Sequence, residues 1–149
     1  MKKLIALLIV LLLTTPIFAQ TTTVESTDAA EVIAGIIDDA SGAGWLMISA
    51  EKALEQMDTI EPVIIDVRKP SEIEESGKIA GSINIPVTEL ENNLFQLPPD
   101  KSTPIIVYCA AGTRGLYGTI FLKSLGFENV KDLKGGFKAW VAGDFPIVK

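Results

Sequence analysis

Hydrophobic residues in this chain fall into short runs separated by polar, glycine-containing or proline-containing segments. From residue 46 onwards, β-branched runs alternate with segments of helical spacing. The predicted strands are 46–48, 63–67, 83–85, 104–108 and 130–133, and the predicted helices are 49–57, 70–75, 88–97, 116–125 and 137–141. This alternation predicts an α/β fold with a mostly parallel central sheet of about five short strands flanked by helices.

Local signals place the starts of three of these helices. Ser49 is suited to cap the first helix, because its hydroxyl oxygen can accept a bond from an unpaired amide of the first turn. Pro70 suits the first position of the second helix. Thr88 and Glu91 have the spacing of a capping box, which predicts a helix from there to about Leu97.

The first 19 residues have the pattern of a secretory signal peptide. Lys2 and Lys3 precede the apolar run 4–13, and cleavage is expected after Ala19. The alternative is an uncleaved membrane anchor. However, residues 4–19 number 16 and contain a Thr-Thr-Pro break, whereas a spanning helix needs roughly 20 apolar residues. We therefore expect an exported protein, periplasmic or secreted, with no membrane anchor after cleavage.

Residues 20–44 form an N-terminal extension ahead of the main domain, 45–149. The segment 28–40 has apolar residues at helical spacing, which predicts a short amphipathic helix, and Ser41-Gly42-Ala43-Gly44 would end it. Such a helix could cover the edge of the sheet or bind a partner, and we favour the first role.

Composition excludes several classes of function. The net charge is −6 and would become −8 without Lys2 and Lys3, which argues against nucleic acid or anionic membranes as partners. The chain contains no histidine, so Cys-His and Ser-His-Asp catalysis are excluded and a zinc or copper site is not expected.

The most informative residue is Cys109, the only cysteine of the chain. It ends the apolar run 104–108 and opens a loop of small residues that closes at Arg114. A thiol between a buried strand and a helix start is exposed to loop amides and to the helix dipole, and both favour a thiolate. The alternative is a buried structural thiol.

Four motifs of the chain together resemble those of one protein family. They are Asp66-Val67-Arg68, the run 76–86 (SGKIAGSINIP), the loop 109–114 (CAAGTR) and the run 135–140 (GGFKAW). Together they resemble the single-domain rhodaneses, a family of sulfurtransferases, over residues 45–149. The resemblance implies a ping-pong reaction in which Cys109 takes a sulfur from a donor and passes it on from a persulfide. It implies no metal and no organic cofactor.

Matching positions imply the site residues. Cys109 would be the nucleophile, and the cradle around its sulfur would be Ala110, Ala111, Gly112, Thr113 and Arg114. The resemblance implies thiosulfate as donor and cyanide or a thiol as acceptor, with a protein acceptor also open, and we expect a monomer.

Three charged residues near the motifs have two interpretations each. Arg114 would hold the loop or attract an anionic donor, or else it would pair with a surface carboxylate. Asp66 and Arg68 would support the loop through an ion pair or hydrogen bonds, or contact the donor directly. Phe137 and Trp140 are expected in the core.

The chain departs from the family pattern at three positions. Lys78 stands where many members have histidine, Ala110 where several thiosulfate-using members have a basic residue, and Gly115 where serine is frequent. The second departure weakens the case for thiosulfate, so a sulfur carrier or partner-binding module remains an alternative. Related cysteine phosphatases and arsenate reductases have a loop one residue longer than 109–114, which makes that activity less favoured.

Overall fold

Residues 46–149 are described in a computed structural model of the protein. The predicted signal peptide, extension and helix 28–40 lie outside the described residues, as does Trp45. Within 46–149, no helix is both long enough and apolar enough to cross a bilayer.

The described chain alternates strands and helices, as the hydrophobic pattern predicts. The elements in order are β1 (Met47–Ile48), α1 (Ala50–Thr59), β2 (Val63–Asp66), α2 (Pro70–Ser76), β3 (Lys78–Ile79), β4 (Ile83–Asn84), two 3₁₀ segments (Val87–Glu89 and Glu91–Gln96), β5 (Ile105–Tyr108), α3 (Thr113–Ser124), β6 (Val130–Leu133), α4 (Gly136–Ala142) and β7 (Ile147–Val148). The α/β fold predicted from the sequence is confirmed.

The central sheet has five strands in the order β1-β6-β5-β2-β4, and all of its pairs are parallel. After β2, the chain continues to β4 at one edge of the sheet. After β5, it continues to β6, which lies on the side of the opposite edge. Connections that diverge from neighbouring strands leave a crevice at the carboxyl ends of those strands. The segments that follow β2 and β5 therefore meet there.

Both faces of the sheet are buried. In β5, Ile105 and Val107 pack in a cluster on the α3 side, whereas Ile106 and Tyr108 pack with α1 and α4 on the other side. Successive strand residues point to opposite faces, so a strand covered on both sides reads as the continuous apolar run seen here. Phe137 and Trp140 lie in this second cluster, which confirms their predicted place in the core.

The helix predicted over 88–97 is wrong. The chain instead forms two 3₁₀ segments, separated by the single residue Leu90 and distorted at Asn93, whose φ is −120°. The side-chain Nδ2 of Asn93 donates to the backbone carbonyl of Glu89, which competes with regular helical hydrogen bonding. Leu90 and Leu97 are both buried, so packing determines the path of this segment and the capping box does not form.

Ser49 caps α1 as expected, by accepting a hydrogen bond from the Lys52 amide at 3.3 Å. Two smaller differences concern the start of a helix and a pair of strands. The helix expected from Leu116 begins at Thr113, directly after the loop. A separate antiparallel pair, β3 with β7, was not predicted. Its strands have two residues each, too few for a period-two pattern to be visible in the sequence.

Candidate active site

Cys109 lies at the end of β5, at the base of a tight loop that leads into α3. The residue is only 2% exposed, and the amide of Gly112 donates a hydrogen bond to its Sγ over 3.2 Å. Gly112 has φ +108°, a conformation that residues with a β-carbon rarely adopt. The glycine therefore lets the loop turn back so that an N–H group reaches the sulfur.

The start of α4 holds this loop from the other side. The amides of Phe137 and Lys138 donate to the carbonyls of Cys109 and Ala110, at 2.7 and 3.0 Å. Gly136 has φ +59°, and a β-carbon built there would overlap the Cys109 carbonyl. The two loop carbonyls are thus occupied, whereas within residues 46–149 the amides of Ala110 and Ala111 donate no hydrogen bond.

Arg114 closes the loop and pairs with a carboxylate. Its two terminal nitrogens donate to the two carboxylate oxygens of Glu72, each over 2.7 Å, and both side chains are about one-third exposed. The pairing raises the pKa of Arg114, with the nearby Cys109 sulfur as a smaller cause. It lowers the pKa of Glu72 to about 2. Arg114 thus makes the surface ion pair of the second interpretation while remaining close to the cysteine.

Glu72 was not identified from the sequence. It also accepts a hydrogen bond from the amide of Lys69, at 3.0 Å, and so fixes the first turn of α2. Glu72 stands at the third position of the helix, where a glutamate can bond back to the N-cap amide, but Lys69 at the N-cap has no side-chain acceptor, so the sequence carries only half of a capping box. Nothing local indicates its pairing with Arg114, which lies 42 positions further along.

Asp66 and Arg68 form a buried ion pair behind the site. Their exposures are 0% and 1%, and Arg68 Nη2 lies 2.6 Å from Asp66 Oδ2. Arg68 also donates to the Gly77 carbonyl at 2.8 Å and to Ser76 Oγ at 2.9 Å, and its guanidinium stacks on the Phe137 ring 4.1 Å from the centroid. The ion pair of the first interpretation is present, and burial keeps both side chains from direct contact with a donor, but the hydrogen bonds of Arg68 go to Asp66, Ser76 and Gly77 rather than to the loop 109–114.

A second carboxylate missed by the sequence analysis lies beside the loop. Asp132 of β6 is 2% exposed, and burial raises its pKa to about 7. It borders a cavity of about 240 Å³. Ala111, Gly112 and Thr113 line the same cavity, so three of the predicted cradle residues lie next to this acid.

The site places a thiol beside amide donors, an arrangement that can hold a small anion. Within residues 46–149, no cluster of three or more Cys, Asp or Glu side chains could hold a metal ion. Amide N–H groups arranged around a sulfur atom stabilise negative charge on it.

Comparisons with known proteins agree with this geometry. The rhodanese-like domain family matches residues 49–143. A sulfurtransferase from Allochromatium vinosum is 30% identical over 91 residues, covering 61% of this chain and 82% of that protein. The thiosulfate sulfurtransferase GlpE of Pseudoalteromonas translucida is 33% identical over 95 residues, covering 64% and 88%.

Solved structures give the same result. A rhodanese-related protein from Thermoplasma volcanium superposes with a TM-score of 0.61 at 33% identity, covering 68% of this chain and 96% of that one. The human single-domain sulfurtransferase TSTD1 superposes with a TM-score of 0.59 at 26% identity, covering 65% and 96%. With its fold, its cysteine loop and these relatives in agreement, the chain belongs to the rhodanese-like domain family, which includes sulfurtransferases.

Proposed function

We propose that this protein is an exported sulfurtransferase that moves a sulfane sulfur from a donor to a nucleophilic acceptor through a persulfide on Cys109. The observation that carries the proposal is the hydrogen bond from the Gly112 amide to Cys109 Sγ. An N–H group directed at sulfur stabilises the thiolate, which is the nucleophilic form of cysteine. The chain has no second cysteine that could act as the nucleophile, and it has no histidine that could act as a base towards Cys109.

The reaction balances in two steps. The Cys109 thiolate attacks the outer sulfur of a donor such as thiosulfate. A new sulfur–sulfur bond forms, and the donor's own sulfur–sulfur bond breaks, so that sulfite leaves with the bonding electron pair. An acceptor such as cyanide then attacks the terminal sulfur of the persulfide. The persulfide bond breaks, thiocyanate leaves, and the thiolate is regenerated without any external oxidant or reductant.

The loop also favours a second candidate, a carrier that holds persulfide for a protein acceptor. The side chain of Arg114 is already engaged with the Glu72 carboxylate, so its charge is largely neutralised. Ala110 adds no positive charge where a basic residue would attract a dianion. Thiosulfate would therefore be bound weakly, and a less highly charged donor or a docked protein would suit this loop better.

Intact mass spectrometry tests both candidates. The full chain is expressed in an exporting host, purified, incubated with thiosulfate and then with cyanide, beside Cys109→Ser. We expect a parent protein beginning at Gln20, a gain of one sulfur that cyanide removes as thiocyanate, and no gain in the variant. Tryptophan fluorescence of the variant checks that its fold is unchanged.

The same assay distinguishes the two candidates when it is repeated with a polysulfide as donor. A persulfide that forms from the polysulfide but reacts slowly with small acceptors would favour the carrier. Equal sulfur transfer in parent and Cys109→Ser would contradict the persulfide mechanism. A mass that retains residues 1–19 in the exporting host would contradict the proposed cleavage.

A further inference from the structure

Asp132 is a buried acid on the central sheet. It is paired in register with Val107 of β5 and Met47 of β1, and α3 packs against β5 and β6. Its residue exposure is 2%, and within residues 46–149 its Oδ1 has no hydrogen-bond partner. Buried polar atoms are normally paired, so an unpaired carboxyl oxygen in a sheet interior calls for an explanation.

The carboxyl group packs against the segment that carries Cys109. A β-carbon built on Gly115 would overlap Asp132 Oδ1 and would lie 3.2 Å from its Cγ and 3.4 Å from the Cys109 amide nitrogen. A β-carbon on Gly112 would lie 3.8 Å from Asp132 Oδ2. The glycine at 115, where a serine is frequent in the family, is therefore what makes room for this acid beneath the first turn of α3.

No described charge compensates it. The ionisable groups on the elements around it are Cys109 and Tyr108 at the end of β5, Arg114, Tyr117 and Lys123 on α3, Lys131 on β6, Lys134 just after it, and Lys138 on α4. Burial is the one cause of the raised pKa of Asp132, with no contribution from a neighbouring charge, and Arg114 pairs with Glu72 instead. Loss of hydration is the cause that raises the pKa of Asp132 to about 7. The adjoining cavity of about 240 Å³ gives its proton a route to solvent.

We propose that Asp132 is a positioning residue for sulfur chemistry at Cys109: its ionised carboxylate places a second negative charge in the field of the loop amides and of the first turn of α3, the field that favours the sulfur anion. When Asp132 is protonated, this positive field acts on the sulfur alone. When it is ionised, a second negative charge lies beside the same amides and disfavours a thiolate or persulfide anion. The inference rests on the proposed function only in taking the sulfur anion as the reactive form.

The titration of Cys109 in Asp132→Asn tests this directly. The substitution removes the charge and keeps the shape. Because the chain has one cysteine, thiolate absorbance in the ultraviolet reports Cys109 alone once the spectrum of Cys109→Ser is subtracted. At about pH 8, where Asp132 is ionised in the parent, we expect the ratio of thiolate to thiol to be about threefold or more higher in Asp132→Asn. At about pH 6, where it is protonated, the two proteins should be much closer.

Asp58→Asn is the matched control. It removes the same charge from an exposed residue in the last turn of α1, which returns the chain to the amino end of β2, opposite the Cys109 loop. This control should titrate like the parent. If Asp132→Asn also superposes on the parent between about pH 6 and 9, the proposal is wrong.

A second measurement leaves residue 132 in place, in case the variant does not fold. In the parent, the carbon-13 signals of the Asp132 carboxyl and the Cys109 β-carbon should each show a second inflection at the midpoint of the other group, as coupled sites do. Two independent single-step curves would overturn the proposal. Neither titration needs sulfur transfer, so a failure of the proposed function would be seen separately.

Discussion

The buried pair of Asp66 and Arg68 gives a sharp prediction about stability. Arg68→Met keeps an unbranched side chain that can still pack on Phe137, but it leaves the Asp66 carboxylate buried without its cation. The guanidinium makes three contacts to the two carboxylate oxygens, at 3.0, 3.0 and 2.6 Å, in addition to its bonds to Ser76 and Gly77. After the substitution, Asp66 keeps only one of its hydrogen bonds to residue 68, the bond from the backbone amide at 3.0 Å.

Removing one partner of a buried ion pair destabilises a protein by about 3–5 kcal/mol. Domains of this size are stable by about 5–15 kcal/mol, so the loss would be a large fraction of the total. The assay is urea unfolding followed by tryptophan fluorescence, because Trp140 is 1% exposed and should respond to unfolding. We expect a lower midpoint with an unchanged slope.

Arg114→Met is the matched control, since it makes the same substitution in the ion pair with Glu72, whose side chains are 32% and 31% exposed. Exposed pairs contribute about 1 kcal/mol or less, so this variant should change stability little. Adding Asp66→Asn to Arg68→Met should recover part of the loss, because the orphaned charge is then removed. Similar small losses from Arg68→Met and Arg114→Met would refute the reasoning.

Two further predictions concern the loop and its ion pair. Gly136→Ala should lower sulfur transfer by at least about tenfold and stability by about 1–3 kcal/mol more than Gly126→Ala, because only at 136 does the new β-carbon meet the Cys109 carbonyl. Both glycines have positive φ, so equal effects on rate and unfolding would contradict this. Glu72 has its pKa lowered to about 2 by Arg114, so its contribution to stability should be complete above about pH 4.5 and lost towards pH 2. In urea titrations, the gap in unfolding free energy between parent and Glu72→Gln should narrow over that range, and a constant gap would count against the pairing.

Strands were predicted well where both faces of the sheet are covered. The runs 63–67, 104–108 and 130–133 correspond to Val63–Asp66, Ile105–Tyr108 and Val130–Leu133. A strand buried on both sides must be apolar at almost every position, so its pattern is readable without knowing its neighbours.

The segment 88–97 shows where local patterns fail. Its capping-box spacing is a helix signal, but Leu90 and Leu97 must both be buried beside the sheet, and two 3₁₀ segments satisfy that requirement. Propensity is a weak preference, and tertiary packing overrides it.

By itself, the sequence determined the α/β class, the central strands and the position of Cys109 at the junction of a strand and a helix. Each of these follows from residues close together in the chain. Only the tertiary structure decided that Arg114 pairs with Glu72 and that, among the residues described, Asp132 Oδ1 lies without a hydrogen-bond partner behind the loop. These neighbours come from elements that the sheet order β1-β6-β5-β2-β4 brings together, and that order is set by packing over the whole chain, which no local pattern records.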